Sequence, residues 1–186
     1  MRSHNLNLAL GILPFVVAFT LIALSINTYP GFSFRRNALS DLGHATKSPA
    51  AVAFNLGLQT AGFLMACYAL ALVRRTFPLT GWSLVVSAYL LQLVAVFDEV
   101  YGAVHFLVSV LLFLSLLAAA LVHSCEARSA LPAFMGAVGV LAWLAFWLGP
   151  FKWGVAVPET VSIAATFAWY VKMASEVASE ASSVGG

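Results

Sequence analysis

Apolar positions along this chain come in long runs separated by short polar breaks. Six runs, at about 7–27, 51–73, 79–99, 103–123, 131–149 and 157–177, are each close to the roughly 20 residues an α-helix needs to cross the hydrocarbon of a bilayer. The breaks carry helix punctuation. Pro30-Gly31 closes the first run, and Arg74-Arg75 with Pro78-Leu79-Thr80-Gly81 separates the second from the third. Pro132 and Pro158 stand at the first turns of the fifth and sixth, where a missing N–H costs nothing, and Gly149-Pro150 stops the fifth. Lys172 lies inside the sixth run, close enough to its end to snorkel to the headgroups. Residues 175–186 are small and polar and read as a frayed tail. Met1-Arg2-Ser3-His4 resembles the start of a signal peptide, but the apolar stretch from Leu6 to Ile26 is longer than such a segment needs and reads as a retained helix. Bilayer backbone groups must be satisfied internally. The pattern therefore predicts an all-α, polytopic membrane protein: one transmembrane domain, a six-transmembrane-helix bundle with short connections.

Composition narrows the class further. Of 186 residues, 62% are hydrophobic and 9% charged, with a mean hydropathy of +0.96. A soluble domain carries about a quarter charged residues, so an ordinary water-soluble globule is excluded. A net charge of +2 without a basic tract leaves no nucleic-acid partner. Cys67 and Cys125 form no CxxC and offer no zinc spacing or paired thiols for exchange. An even number of spans puts both termini on one side. The termini and the even loops hold Arg2, Arg74, Arg75, Arg128 and Lys172, against Arg35, Arg36, Lys47 and Lys152 in the odd loops. That small excess assigns a multi-pass protein of the cell membrane with cytoplasmic termini.

Polar residues within such runs are expensive and therefore informative. Asn55 and Gln59 lie early in the second run, Gln92 two turns before the third ends, and His105 and Ser109 open the fourth. Glu159, Ser162, Thr166 and Tyr170 follow one side of the sixth, as a ligand-facing stripe or a helix–helix seam. Nearly all belong to the half facing the odd loops; the opposite half reads as apolar, with no role for His4 or His123. The first loop, 28–50, contains a short interfacial helix ended by Gly43. Asn37, Ser40, Asp41 and His44 fall at i, i+3, i+4 and i+7, on one face if the turn persists. The turn Asp98-Glu99-Val100-Tyr101-Gly102 brings two carboxylates near His105.

These residues form one candidate site at the non-cytoplasmic face, roofed by the first loop. Asp41, His44, Glu99 and His105 are the candidate catalytic residues and the candidate ligands of a divalent metal, without the spacing of a helical HExxH. Arg36, Asn37, Ser40, Asn55, Gln59, Gln92 and Asp98 are the candidate ligand-binding residues, with Arg36 available to an anionic headgroup. Singly, each amide also serves as packing glue between helices, and His105 as an interhelical hydrogen-bonding residue. The expected function is binding, or acting on, a membrane lipid or other amphiphile. The alternatives are an accessory or scaffold subunit, in a homo-oligomer or a larger membrane complex, and a small transporter, for which no inverted repeat is visible.

Arg36-Asn37-Ala38-Leu39-Ser40-Asp41-Leu42-Gly43, Phe54-Asn55-x-Gly57 and the acidic turn followed by His105 resemble the prokaryotic membrane family known as domain of unknown function 998. The resemblance implies a six-helix protein over essentially the whole chain, similar in layout to the larger group of Frag1/DRAM/Sfk1-type membrane proteins. The family pattern is expected to carry a proline after the phenylalanine of the acidic turn, whereas Phe97 here is followed by Asp98. Distant eukaryotic relatives connected with lipid-anchor remodelling suggest a lipid substrate by analogy.

Overall fold

The structure, a computed structural model, describes residues 2–150 and 152–183. It is all-α, with no strand among the described residues. The long helices are α1 (Arg2–Thr28), α2 (Ala51–Thr76), α3 (Pro78–Val96), α4 (Ala103–Glu126), α5 (Ala130–Leu148) and α6 (Ala156–Ser183). The first five are long and apolar enough to cross a membrane. Each helix packs on the next in chain order, and α6 returns to pack on α1, so the bundle closes into a ring.

The last two helices differ sharply in what they bury. On α5 only Pro132 and Gly139 are buried, and Leu141, Trp147 and Leu148 point outward. An unbroken apolar surface is what a lipid-facing position requires. By contrast, α6 turns Trp169, Tyr170, Met173, Ala174, Val177 and Ala178 into the core. Pairs at this spacing make one stripe on a helix, while Glu159, Lys172, Glu176 and Glu180 interrupt its apolar character. Six long helices are therefore present, but α6 falls below the apolarity of the other five.

Three boundaries differ from the sequence expectation, each for a local reason. The second helix runs past residue 73 through Arg74 and Arg75 to Thr76, with a π-helical turn at Ala69–Val73. It ends where Pro78 forces Phe77 into an extended backbone (φ −128°, ψ 84°). Gly81 then allows close approach, since a Cβ there would lie 2.7 Å from Arg74 Cα. The tail expected to fray from Ser175 is instead helical to Ser183, because Val177 and Ala178 continue the buried stripe of α6; residues 184–186 lie outside the described residues. In the first loop the helical turn covers only Ser40–Gly43 and is 3-10 in form.

Candidate ligand-binding site

The loop between α1 and α2 folds across one end of the ring and is held by its own polar side chains. Asn37 accepts from the Ser33 N–H (3.1 Å) and donates from Nδ2 to Asp41 Oδ2 (2.7 Å), which also accepts from the Ala38 N–H (3.1 Å). Ser48 donates to the Leu42 carbonyl (2.6 Å), and Asn55 of α2 donates to the Gly43 carbonyl (2.9 Å). Leu42 is fully buried with Leu39 among Phe54, Leu58, Val94, Val108 and Leu112. The segment before α6 clasps the other side: Gly154 N–H donates to Phe34 O (3.2 Å) and Ala156 N–H to Asn37 O (2.9 Å). Any side chain at Gly154 would collide with the carbonyl oxygens of Asn37 and Phe34. Side-chain bonds within the loop and backbone bonds to the segment before α6 together build this roof.

Two long-range bonds bring acids under that roof. Leu39 N–H donates to Glu159 Oε2 (2.6 Å), and Ser40 Oγ donates to Glu99 Oε1 (2.7 Å). Asp41 lies within electrostatic reach of Glu99 and Glu159, and His105 of Glu99. Burial pushes the Glu99 carboxyl above its ordinary range and the neighbouring Asp41 adds to this, while the Ser40 hydroxyl and the His105 charge act in the opposite direction. His105 is buried, and its Nδ1 meets the Phe97 carbonyl at 2.7 Å. A carbonyl only accepts, so Nδ1 carries the proton; in the neutral ring Nε2 is then an acceptor facing Ser109 Oγ at 3.4 Å. A hydroxyl beside an oriented imidazole is the arrangement of a general base, here at a loose distance.

Next to Glu159 lies a cavity of about 110 Å³. Side chains of α1, α2, α3, α4 and α6 line it, among them Phe15, Leu58, Leu91, Leu112 and Ile163; α5 contributes none. Leu39, Ser40 and Glu159 close its roofed end, and Ser87, Ser109 and Thr166 are the hydroxyls in its wall. Thr166 is nine-tenths buried and makes no hydrogen bond among the described residues.

The remaining candidates occupy other positions. His44 leaves the 3-10 turn in an extended conformation, with its ring 3.4 Å from Thr46 Oγ1. The shared face expected from Asn37 to His44 therefore does not extend that far. Arg36 is exposed, and its guanidinium forms no hydrogen bond or ion pair among the described residues. Asp98 is buried because it caps the turn Glu99–Tyr101, accepting from Val100 N–H (2.8 Å). Gln59 donates to the Gln92 carbonyl of α3 (3.0 Å) and so ties two helices together, while Gln92 donates to the Ala88 carbonyl of its own helix (3.3 Å); neither lines the cavity. From the α6 stripe, Ser162 sits against Gly139 of α5 and Tyr170 packs on Tyr68 and Phe15. No group of three His, Cys, Asp or Glu side chains is arranged to hold a metal among the described residues. Asp41, His44, Glu99 and His105 do not form such a shell.

A family model described as a protein of unknown function, DUF998, matches residues 11–176. The chain belongs to the DUF998 family. No curated protein and no solved structure matches it. Within this DUF998 protein the motif residues play different parts. Asn37 and Asn55 hold the roof, while Ser40 engages the acid of the facing turn.

The opposite end of the DUF998 bundle holds a polar network that the sequence pattern does not reveal. Glu126 accepts from Leu79 N–H (2.9 Å), Thr80 N–H (2.7 Å) and Thr80 Oγ1 (2.6 Å), satisfying orphan donors at the start of α3. His123 is fully buried, with Nε2 3.4 Å from Glu176 Oε2, and Lys172 pairs with Glu176 one turn away. The Lys172–Glu176 spacing of i, i+4 is a usable signal. His123 has none, because its partners come from two other helices.

Proposed function

We propose that this DUF998 protein binds a lipid or other amphiphile, its apolar part in the roofed cavity and its polar group at Ser40, Glu99 and Glu159. The cavity carries this reading. It combines an apolar wall drawn from five helices with one acid, Glu159, and the Ser40 hydroxyl at one end, which matches a molecule that is oily at one end and polar at the other. An engineered apolar cavity of about 150 Å³ stays dry and takes up benzene. A space of about 110 Å³ is therefore sized for a segment of a chain rather than a whole lipid. In this reading α6 is a sixth span. Glu159 stands at one membrane edge, and the Lys172–Glu176 pair reaches the other. The roof faces away from the cytoplasm, following the small excess of basic residues at the other end.

Native mass spectrometry of protein released from micelles tests the proposal. The wild type is expected to retain an amphiphile adduct, and Ala61→Leu, which fills the lined space from α2, is expected to lose it while remaining folded. Equal adducts in both proteins, or none in the wild type, would refute it.

A further inference from the structure

We propose that the ligand is a lipid resident in the bilayer, one of whose tails enters the cavity sideways through the seam between α4 and α5. The inference rests on the amphiphile reading and adds the class of ligand and its route. A space of about 110 Å³ holds a segment of one chain, so the rest of a lipid stays outside the ring. Neither end of the cavity lets it out. Leu39, Ser40 and Glu159 close the roofed end, and the Leu39 bond to Glu159, with the Gly154 and Ala156 bonds to the first loop, clasps that roof. At the other end Phe15 and Met65 pass from the cavity wall into the buried cluster of Leu84, Ala88, Trp169 and Tyr170.

The side wall differs around the ring. Neighbouring helices from α1 to α4 pack broadly on one another, and α2 is tied to α3 by Gln59 at the Gln92 carbonyl and to α6 by Tyr68 at the Ala174 carbonyl. By contrast, α4 and α6 scarcely meet. The gap between them is covered by α5, which lies outside the cavity lining and turns Leu141, Leu144 and Trp147 toward lipid. No hydrogen bond joins α5 to α4 or α6 among the described residues. It packs more broadly on α6, where Gly139 lies against Ser162, than on α4. The seam with α4 is the looser one.

One side chain spans that seam from the cavity outward. Phe113 of α4 lines the cavity, and its ring meets the indole of Trp143 on α5 edge-on, with centroids 5.4 Å apart. Parting these two rings connects the cavity with the hydrocarbon around α5. A second, independent observation lies at the same place: Trp143 Nε1 is buried without a hydrogen-bond partner among the described residues. A buried indole N–H ordinarily finds an acceptor, and one that lacks it makes the closed seam less costly to leave.

Two engineered bridges test the route. In a chain carrying Cys67→Ser and Cys125→Ser, Ala120→Cys with Gly136→Cys ties α4 to α5, and Gly139→Cys with Ser162→Cys ties α5 to α6. A Cβ on either glycine would lie 3.7 Å from the Cβ of its partner, the span of a disulfide. Protein in neutral-detergent micelles is mixed with phosphatidylcholine carrying a diazirine on one tail and photolysed at intervals; label on Leu58, Leu112 or Ile163 reports entry. Wild type and the oxidised α5–α6 bridge are expected to take label at the same rate, whereas the oxidised α4–α5 bridge loses it until the bridge is reduced. Loss with both bridges, with neither, or with the α5–α6 bridge alone overturns the route, while label in the wild type leaves the cavity reading standing. A wild type that takes no label overturns both. Should the α4–α5 pair fail to bridge or to fold, Phe113→Ala decides: faster labelling supports the seam, and an unchanged or slower rate overturns it.

Discussion

Glu159 holds the roof at one atom, and replacing it should release a defined piece of the chain. The Leu39 N–H belongs to a residue only 6% exposed and donates to Glu159 Oε2 at 2.6 Å across 120 positions of sequence. In Glu159→Ala that donor is left buried without a partner, at a cost of about 1–3 kcal/mol. In Glu159→Gln the amide oxygen still accepts, so most of the bond survives. The energy falls on the link between roof and α6, so amide hydrogen exchange in residues 37–43 is the appropriate assay. A loss of about 1–3 kcal/mol speeds exchange through local opening by roughly 5- to 150-fold. The expected order is therefore wild type, then Gln, then Ala, with α3 and α4 unchanged away from the roof. Equal acceleration by Gln and Ala would show that charge rather than acceptance holds the roof. No acceleration by Ala would show that the bond contributes nothing.

Other outcomes follow from the same contacts. Gly154→Ala drives a Cβ into the Asn37 and Phe34 carbonyls and should loosen the roof by about 1–3 kcal/mol, as overpacking does; protease cutting between residues 29 and 50 would report it. Burial raises Glu99 above its ordinary value of 4.5. Its contribution to stability is thus full below that value and lost as pH rises through the raised one; Glu99→Gln should flatten the stability profile over that window, and an unchanged slope would refute the assignment. Glu126→Ala removes the acceptor for two backbone N–H groups at the start of α3 and should cost about 1–3 kcal/mol in thermal unfolding. Truncation after Ser175 deletes the buried Val177 and Ala178 and should lower the melting temperature, whereas a frayed tail would leave it unchanged.

The gathering of several polar residues at one end was legible in the chain, because polarity at membrane depth is expensive and therefore rare. Asp41, Ser40, Glu99 and His105 come from separate segments, yet the structure gathers them at one end. Their individual roles were not legible. Asp98 and Glu99 are neighbours, but one caps its own turn while the other reaches Ser40. Helical spacing groups His44 with Asp41, and the turn ends at Gly43 before that spacing applies. The amides at Asn55 and Gln59 bond to carbonyls of the roof and of a neighbouring helix, and Gln92 to one of its own helix, and such partners leave no mark on sequence pattern.

Sequence by itself determined the all-α membrane class and the segments that become helices, since both follow from run length, apolarity and proline placement, which are local properties. Only the tertiary structure decided that α6 turns inward while α5 faces out, that α1 closes the ring, and that an apolar cavity lies beside Glu159. These depend on which faces meet across distant stretches of chain. Periodicity shows that a helix has two sides; packing decides which side the core receives.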